Sequence, residues 1–117
     1  MANVSEPPRS VDFDHGLSAA TVAKIYSVLV KYAGVQQAIL YGSRAKGTYR
    51  VGSDIDLTLL TNAELSTKDL LSRITEDLDD LNLPYTIDLS FYKEIEDPDL
   101  TAHIVRCGKT LYRRKSN

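Results

Sequence analysis

From Ser18 onward, Val22, Ile25, Tyr26, Leu29 and Val30 recur three and four residues apart, the spacing of one helix face, and Gly34 stands where a left-handed cap would end that helix. Val35 to Tyr41 is apolar and β-prone and stops at Gly42-Ser43, which predicts a strand delivering its C-terminal end to a tight turn. A short helix is expected over Ser43 to Thr48 and a second strand over Asp54 to Thr61, with Gly47 and Gly52 bending the chain between them. Ser66-Thr67-Lys68-Asp69 has a hydroxyl with an acid three residues on, as in a capping box, and Leu70, Leu71, Ile74, Leu78 and Leu81 then share one face of a helix running to about Asn82.

After Pro84 the period changes to two. Ile87, Leu89 and Phe91 alternate with Thr86, Asp88, Ser90 and Tyr92, so a third strand over Tyr85 to Tyr92 presents Asp88 on its polar side. Asp97-Pro98 reads as an N-cap followed by a first-turn proline, Leu100, Ile104 and Val105 carry the stripe of a last helix to Gly108, and Thr110 to Tyr112 closes the sheet as a short strand. Residues 1–17, with Pro7-Pro8 and little periodicity, read as a flexible arm from which Val11 and Phe13 can dock on the body; residues 18–117 read as the single domain.

A chain of 117 residues with 43% hydrophobic and 26% charged content suits one soluble domain rather than two, and argues against disorder along its length. The net charge of −2 gives no basic field for non-specific nucleic-acid binding, so a nucleotide is the expected ligand and direct DNA binding is not expected. Cys107 has no partner for an internal disulfide, and no apolar run approaches a membrane span or secretion signal, so a cytoplasmic protein without membrane contact is expected.

The chemistry is concentrated in Gly42-Ser43-Arg44-Ala45-Lys46-Gly47 and in Ser53-Asp54-Ile55-Asp56-Leu57. Alternation places Asp54 and Asp56 on one face of their strand, and Asp88 joins them if the two strands lie close. Such hard oxygen ligands suit Mg²⁺, and two ions roughly 4 Å apart polarise both the attacking and the leaving oxygen of an in-line phosphoryl displacement. Asp54, Asp56 and Asp88 are thus the candidate metal-binding and catalytic residues. Gly42 lets backbone approach a phosphate, Ser43 offers an N–H and a hydroxyl, and Arg44 or Lys46 balances charge, so Gly42, Ser43 and Arg44 are the candidate nucleotide ligands. Gly108-Lys109-Thr110 lacks the first glycine of a P-loop, position 103 being histidine, and a helix precedes it. His15 and His103 have no partners at metal-ligand spacing; His103 reads as a packing or interface residue, Cys107 as a buried helix residue, and Arg113-Arg114-Lys115 as a solvated basic tail.

Together the Gly-Ser turn, the Ala45 and Gly47 spacing, Ser53-Asp54-Ile55-Asp56-Leu57 and Ile87-Asp88-Leu89 resemble the minimal nucleotidyltransferases of the DNA polymerase beta superfamily, the type paired with HEPN-domain proteins in toxin–antitoxin systems. The resemblance spans the chain from the first helix to Gly108-Lys109-Thr110-Leu111-Tyr112. It implies an α+β fold with a mixed three- to four-stranded sheet flanked by helices, Mg²⁺ dependence, and transfer of a nucleoside monophosphate, AMP from ATP, to a hydroxyl. The hydroxyl it implies is a tyrosine of a small all-helical HEPN-type partner, toward which the transferase acts as antitoxin in a hetero-oligomer. The rival readings are a non-catalytic nucleotide-binding subunit or antitoxin that acts by binding its partner, and transfer to a small molecule such as an aminoglycoside.

Overall fold

The computed structural model describes residues 15–62 and 68–115. Helix α1 (Ala19–Leu29) opens at Ser18, whose Oγ accepts the Thr21 N–H at 3.1 Å, and leads to strand β1 (Val35–Tyr41). A single helical turn, α2 (Ser43–Lys46), precedes β2 (Ile55–Thr61). Helix α3 (Lys68–Asp79) and β3 (Ile87–Phe91) follow, then a 3-10 turn at Tyr92–Glu94. Helix α4 (Pro98–Cys107), with Asp97 as N-cap, and β4 (Lys109–Arg113) complete the order. The proposed docking of Val11 and Phe13 and the capping box at Ser66-Thr67 lie outside the described residues. At the start of the described residues, His15 and Leu17 are both buried.

The four strands form one mixed sheet in the order β3-β2-β1-β4. Strand β1 is antiparallel to both of its neighbours, while β2 and β3 run parallel, as their connection through α3 allows. One face packs against α1 and α3: Ala38, Leu40, Ile55, Leu57, Leu59 and Phe91 join Val22, Ile25, Leu29, Ile74 and Leu78 in one buried cluster. Tyr32 donates its hydroxyl to Asp77, and Lys31 Nζ lies 3.2 Å from the same carboxylate, which ties the end of α1 to α3. Helix α4 sits on the opposite face against β1, where Ile104 is buried outside that cluster. The approach is close: a Cβ on Gly108 would run into Ile39 Cγ2 of β1. No helix among the described residues is long and apolar enough to cross a membrane.

Two expectations about helix α1 and the basic tail are corrected together. The helix stops at Leu29, Val30 caps it in right-handed geometry, and Gly34 is not among the glycines with positive φ. Arg114 instead reaches the end of the helix and the turn after it: Nη2 donates to Val30 O at 3.1 Å and to Tyr32 O at 3.0 Å, which also accepts from Val35 N, while Nε donates to Val35 O at 3.0 Å. Arg114 is therefore a long-range helix cap that holds the chain end against α1, rather than part of a solvated tail.

Tyr112 packs its ring edge-on to Tyr26 at 4.9 Å, and its hydroxyl is a buried polar atom with no hydrogen-bond partner among the described residues. Tyr112→Phe keeps the ring contact and removes the unsatisfied group, so urea unfolding is expected to show a gain of about 1 kcal/mol. A loss of similar size would reveal a partner for that hydroxyl.

Candidate active site

Asp56 and Asp88 are direct register partners across the parallel pair, and Tyr41 stands opposite Asp56 on the other side. Since Leu57 and Leu89 point into the core, these three residues project from the face that carries α4. Strand pairing thus brings two of the three acids together outright. Asp54 lies just ahead of β2 rather than within it, is exposed, and falls within electrostatic reach of Asp56. Burial raises the Asp56 pKa above the ordinary carboxylate value, and the charges of Asp88 and then Asp54 raise it further. The same surroundings act on Tyr41: burial and the Asp88 charge raise its pKa, against a hydrogen bond with Ser90.

Gly42 forms the turn at φ 76° and ψ −154°, a conformation that costs a side-chain-bearing residue, and a Cβ there would strike Asp56 Oδ2. Turn and carboxylate are therefore in contact, and the positive φ calls for glycine. The Gly42 N–H donates to His103 Nε2 at 3.3 Å, and its carbonyl accepts from Lys46 N at 3.1 Å. Ser43, half-buried, opens α2, where the first N–H groups of any helix lack an intrahelical acceptor. Gly47 ends the turn in left-handed geometry at φ 79°.

Arg44 corrects the sequence reading. It is 2% exposed; Nη1 donates to His15 O at 2.8 Å, and Nε and Nη2 donate to Ser53 O at 3.3 and 3.0 Å. The guanidinium also lies 5.0 Å from the Tyr49 ring centroid and 4.8 Å from that of Tyr85. A helix turns about 100° per residue, so the side chain after Ser43 leaves the open side of the turn and points into the body. Arg44 is a strut that fixes the loop ending in Asp54, in place of the expected phosphate ligand. A cavity of about 310 Å³ beside it is lined by Tyr49, Arg50, Val51 and Tyr85 and by none of Ser43, Asp54, Asp56 or Asp88, so it lies apart from the acids.

Two residues of the site escaped the sequence reading. Tyr41 reads as an apolar strand end, yet the parity that sends Leu40 inward sends Tyr41 to the acids. His103, read as a packing residue, contacts the turn and the Tyr41 ring, with centroids 6.3 Å apart. Its only signal in the sequence is its helical offset from buried Ile104, which cannot name the strand it meets.

Among the described residues no group of three His, Cys, Asp or Glu side chains stands close enough to hold a metal ion as placed. The donor chemistry nevertheless fits a hard divalent cation: three carboxylates at one end of the sheet, with Asp56 disfavoured as an anion by the other two.

A glycine turn packed on a strand carboxylate, with further acids on the adjacent strand and loop, is the arrangement of a nucleotide-handling transferase. The family model described as Polymerase beta, Nucleotidyltransferase matches residues 23–117, and the chain belongs to that family. No curated protein matches the sequence. Several solved structures share the fold. A toxin–antitoxin with AMP-PNP is 24% identical, with a TM-score of 0.63 over 76% of this chain and 70% of that one. A mutant of the toxin–antitoxin MntA-HpeT is 27% identical, with a TM-score of 0.61 over 76% and 69%. A tri-AMPylated Shewanella oneidensis HEPN toxin in complex with MNT antitoxin is 21% identical, with a TM-score of 0.58 over 78% and 68%.

Because the Asp56 pKa is raised by folding, the native state binds that proton more readily than the unfolded chain; stability rises as pH falls through the native pKa, and the penalty is complete at neutral pH. Asp56→Asn is therefore expected to raise the metal-free melting temperature by a few degrees at neutral pH, and to lose that advantage below the ordinary carboxylate pKa of about 3.9. A lower melting temperature at neutral pH would contradict the repulsion.

Proposed function

We propose that the chain binds Mg²⁺ and a nucleoside triphosphate, ATP, and transfers AMP to a hydroxyl, a tyrosine of a small all-helical HEPN-type partner, as an antitoxin. The observation that carries this reading is the register pairing of Asp56 with Asp88 beside the Gly42-Ser43 turn, in a chain that belongs to the polymerase beta nucleotidyltransferase family. The solved likenesses support the substrate and partner: one is a toxin–antitoxin with AMP-PNP, and another pairs an MNT antitoxin with a tri-AMPylated HEPN toxin.

In this reading Ser43 binds phosphate oxygens through its N–H and hydroxyl. Asp54, Asp56 and Asp88 would hold the ions, with Asp88, exposed at the neighbouring strand, on the side of the acceptor. Mg²⁺ held there would neutralise the triphosphate and make the acceptor hydroxyl more acidic. The acceptor oxygen forms a bond to the α-phosphorus as the bond to the bridging oxygen breaks, pyrophosphate departs, and the hydroxyl proton is released on the side of Asp88. The buried Arg44 strut keeps the Asp54 loop in place without meeting the nucleotide.

Incubation with the product of the neighbouring gene, ATP labelled on its α-phosphate, and Mg²⁺ is expected to label the partner. Asp54→Asn and Asp56→Asn are each expected to lower labelling about 100-fold or more while the complex persists. An intact complex that is never labelled would instead establish a binding module, and label on a small molecule alone would overturn the protein acceptor.

A further inference from the structure

We propose that His103 is a positioning residue of the nucleotide site, holding the Gly42 amide so that the Ser43 donors keep a fixed direction. This role rests on the nucleotide reading above. The Gly42 N–H donates to His103 Nε2 at 3.3 Å, which requires that Nε2 carry no proton and act as acceptor. The Gly42 amide is thereby occupied, and phosphate recognition passes to Ser43 and the residues after it. On its other side Gly42 meets the Asp56 carboxylate in the space a Cβ would fill, so the turn is gripped from two directions.

The imidazole is delivered rigidly. Asp97 accepts the Asp99 N–H at 2.9 Å and Pro98 begins α4, so the start of the helix is set; Ile104, next to His103, is 5% exposed. At its far end Gly108, with no side chain, lies against Ile39 Cγ2 of β1. The ring stands edge-on to Tyr41, at 76° between planes. Tyr41 is itself 9% exposed and belongs to the strand that ends at the turn, so His103 is braced by the element it restrains. A histidine needed only to fill space would require no acceptor aimed at a backbone N–H.

The test compares the full-length wild-type chain with His103→Ala and His103→Gln, since a glutamine carbonyl can also accept the Gly42 N–H. Amide hydrogen exchange at Gly42 is measured by NMR, and binding of MgATP by calorimetry. In His103→Ala, Gly42 exchange is expected to accelerate about tenfold and MgATP affinity to fall about tenfold, with the melting temperature nearly unchanged; His103→Gln is expected to recover both to within about threefold. The proposal is overturned if the alanine variant leaves either quantity at the wild-type value, or if glutamine is as damaging as alanine. A wild-type chain that binds no MgATP refutes the nucleotide reading, and the positioning role with it, and that failure shows in the wild-type arm alone.

Discussion

The in-register parallel pairing of β2 with β3 is the constraint on which the rest of the molecule depends. It aligns Ile55 with Ile87, Leu57 with Leu89 and Leu59 with Phe91 toward the core, and the pleat then leaves Asp56 beside Asp88 on the other face. Like charges on directly paired strand positions repel, and solvent at the exposed Asp88 screens part of that repulsion. Burying an aliphatic side chain contributes about 1.5–3 kcal/mol, and Ile55, Leu57 and Leu59 are all fully buried. Core packing on one face therefore holds together charges on the other that would separate if left to themselves.

The turn after β1 is fitted to the same constraint. Gly42 accepts the Asp56 carboxylate where any other residue would place a Cβ, so the glycine turn and the acidic strand are in direct contact. Arg44 carries the arrangement outward through its paired hydrogen bonds to the Ser53 carbonyl, one residue before Asp54. A guanidinium so enclosed leaves little freedom to the loop it braces. Helix α4 closes the far side of the turn, which makes the site a meeting of elements distant in sequence rather than a property of one motif.

What could be read directly from the residues was whatever depends on local period and local backbone. Alternation along Ile87 to Phe91 exposed Asp88, Asp97-Pro98 marked a helix start, and the glycines at 47 and 52 adopt the positive φ their loop requires. Contacts made over long separations were illegible. Gly34 suggested a left-handed cap because nothing local shows that Arg114, some eighty positions later, supplies the hydrogen bonds. Arg44 suggested a phosphate ligand because adjacency to Ser43 does not show which way a single helical turn sends the next side chain. His103 read only as a packing or interface residue because a helix reveals its buried face but not the strand beneath it.

The most direct measurement is a crystal structure of the chain with Mg²⁺ and a non-hydrolysable ATP analogue. Cations held among Asp54, Asp56 and Asp88, with the phosphates on Ser43, are the expected result. Nucleotide bound elsewhere, with the three carboxylates apart and no ion among them, would contradict it.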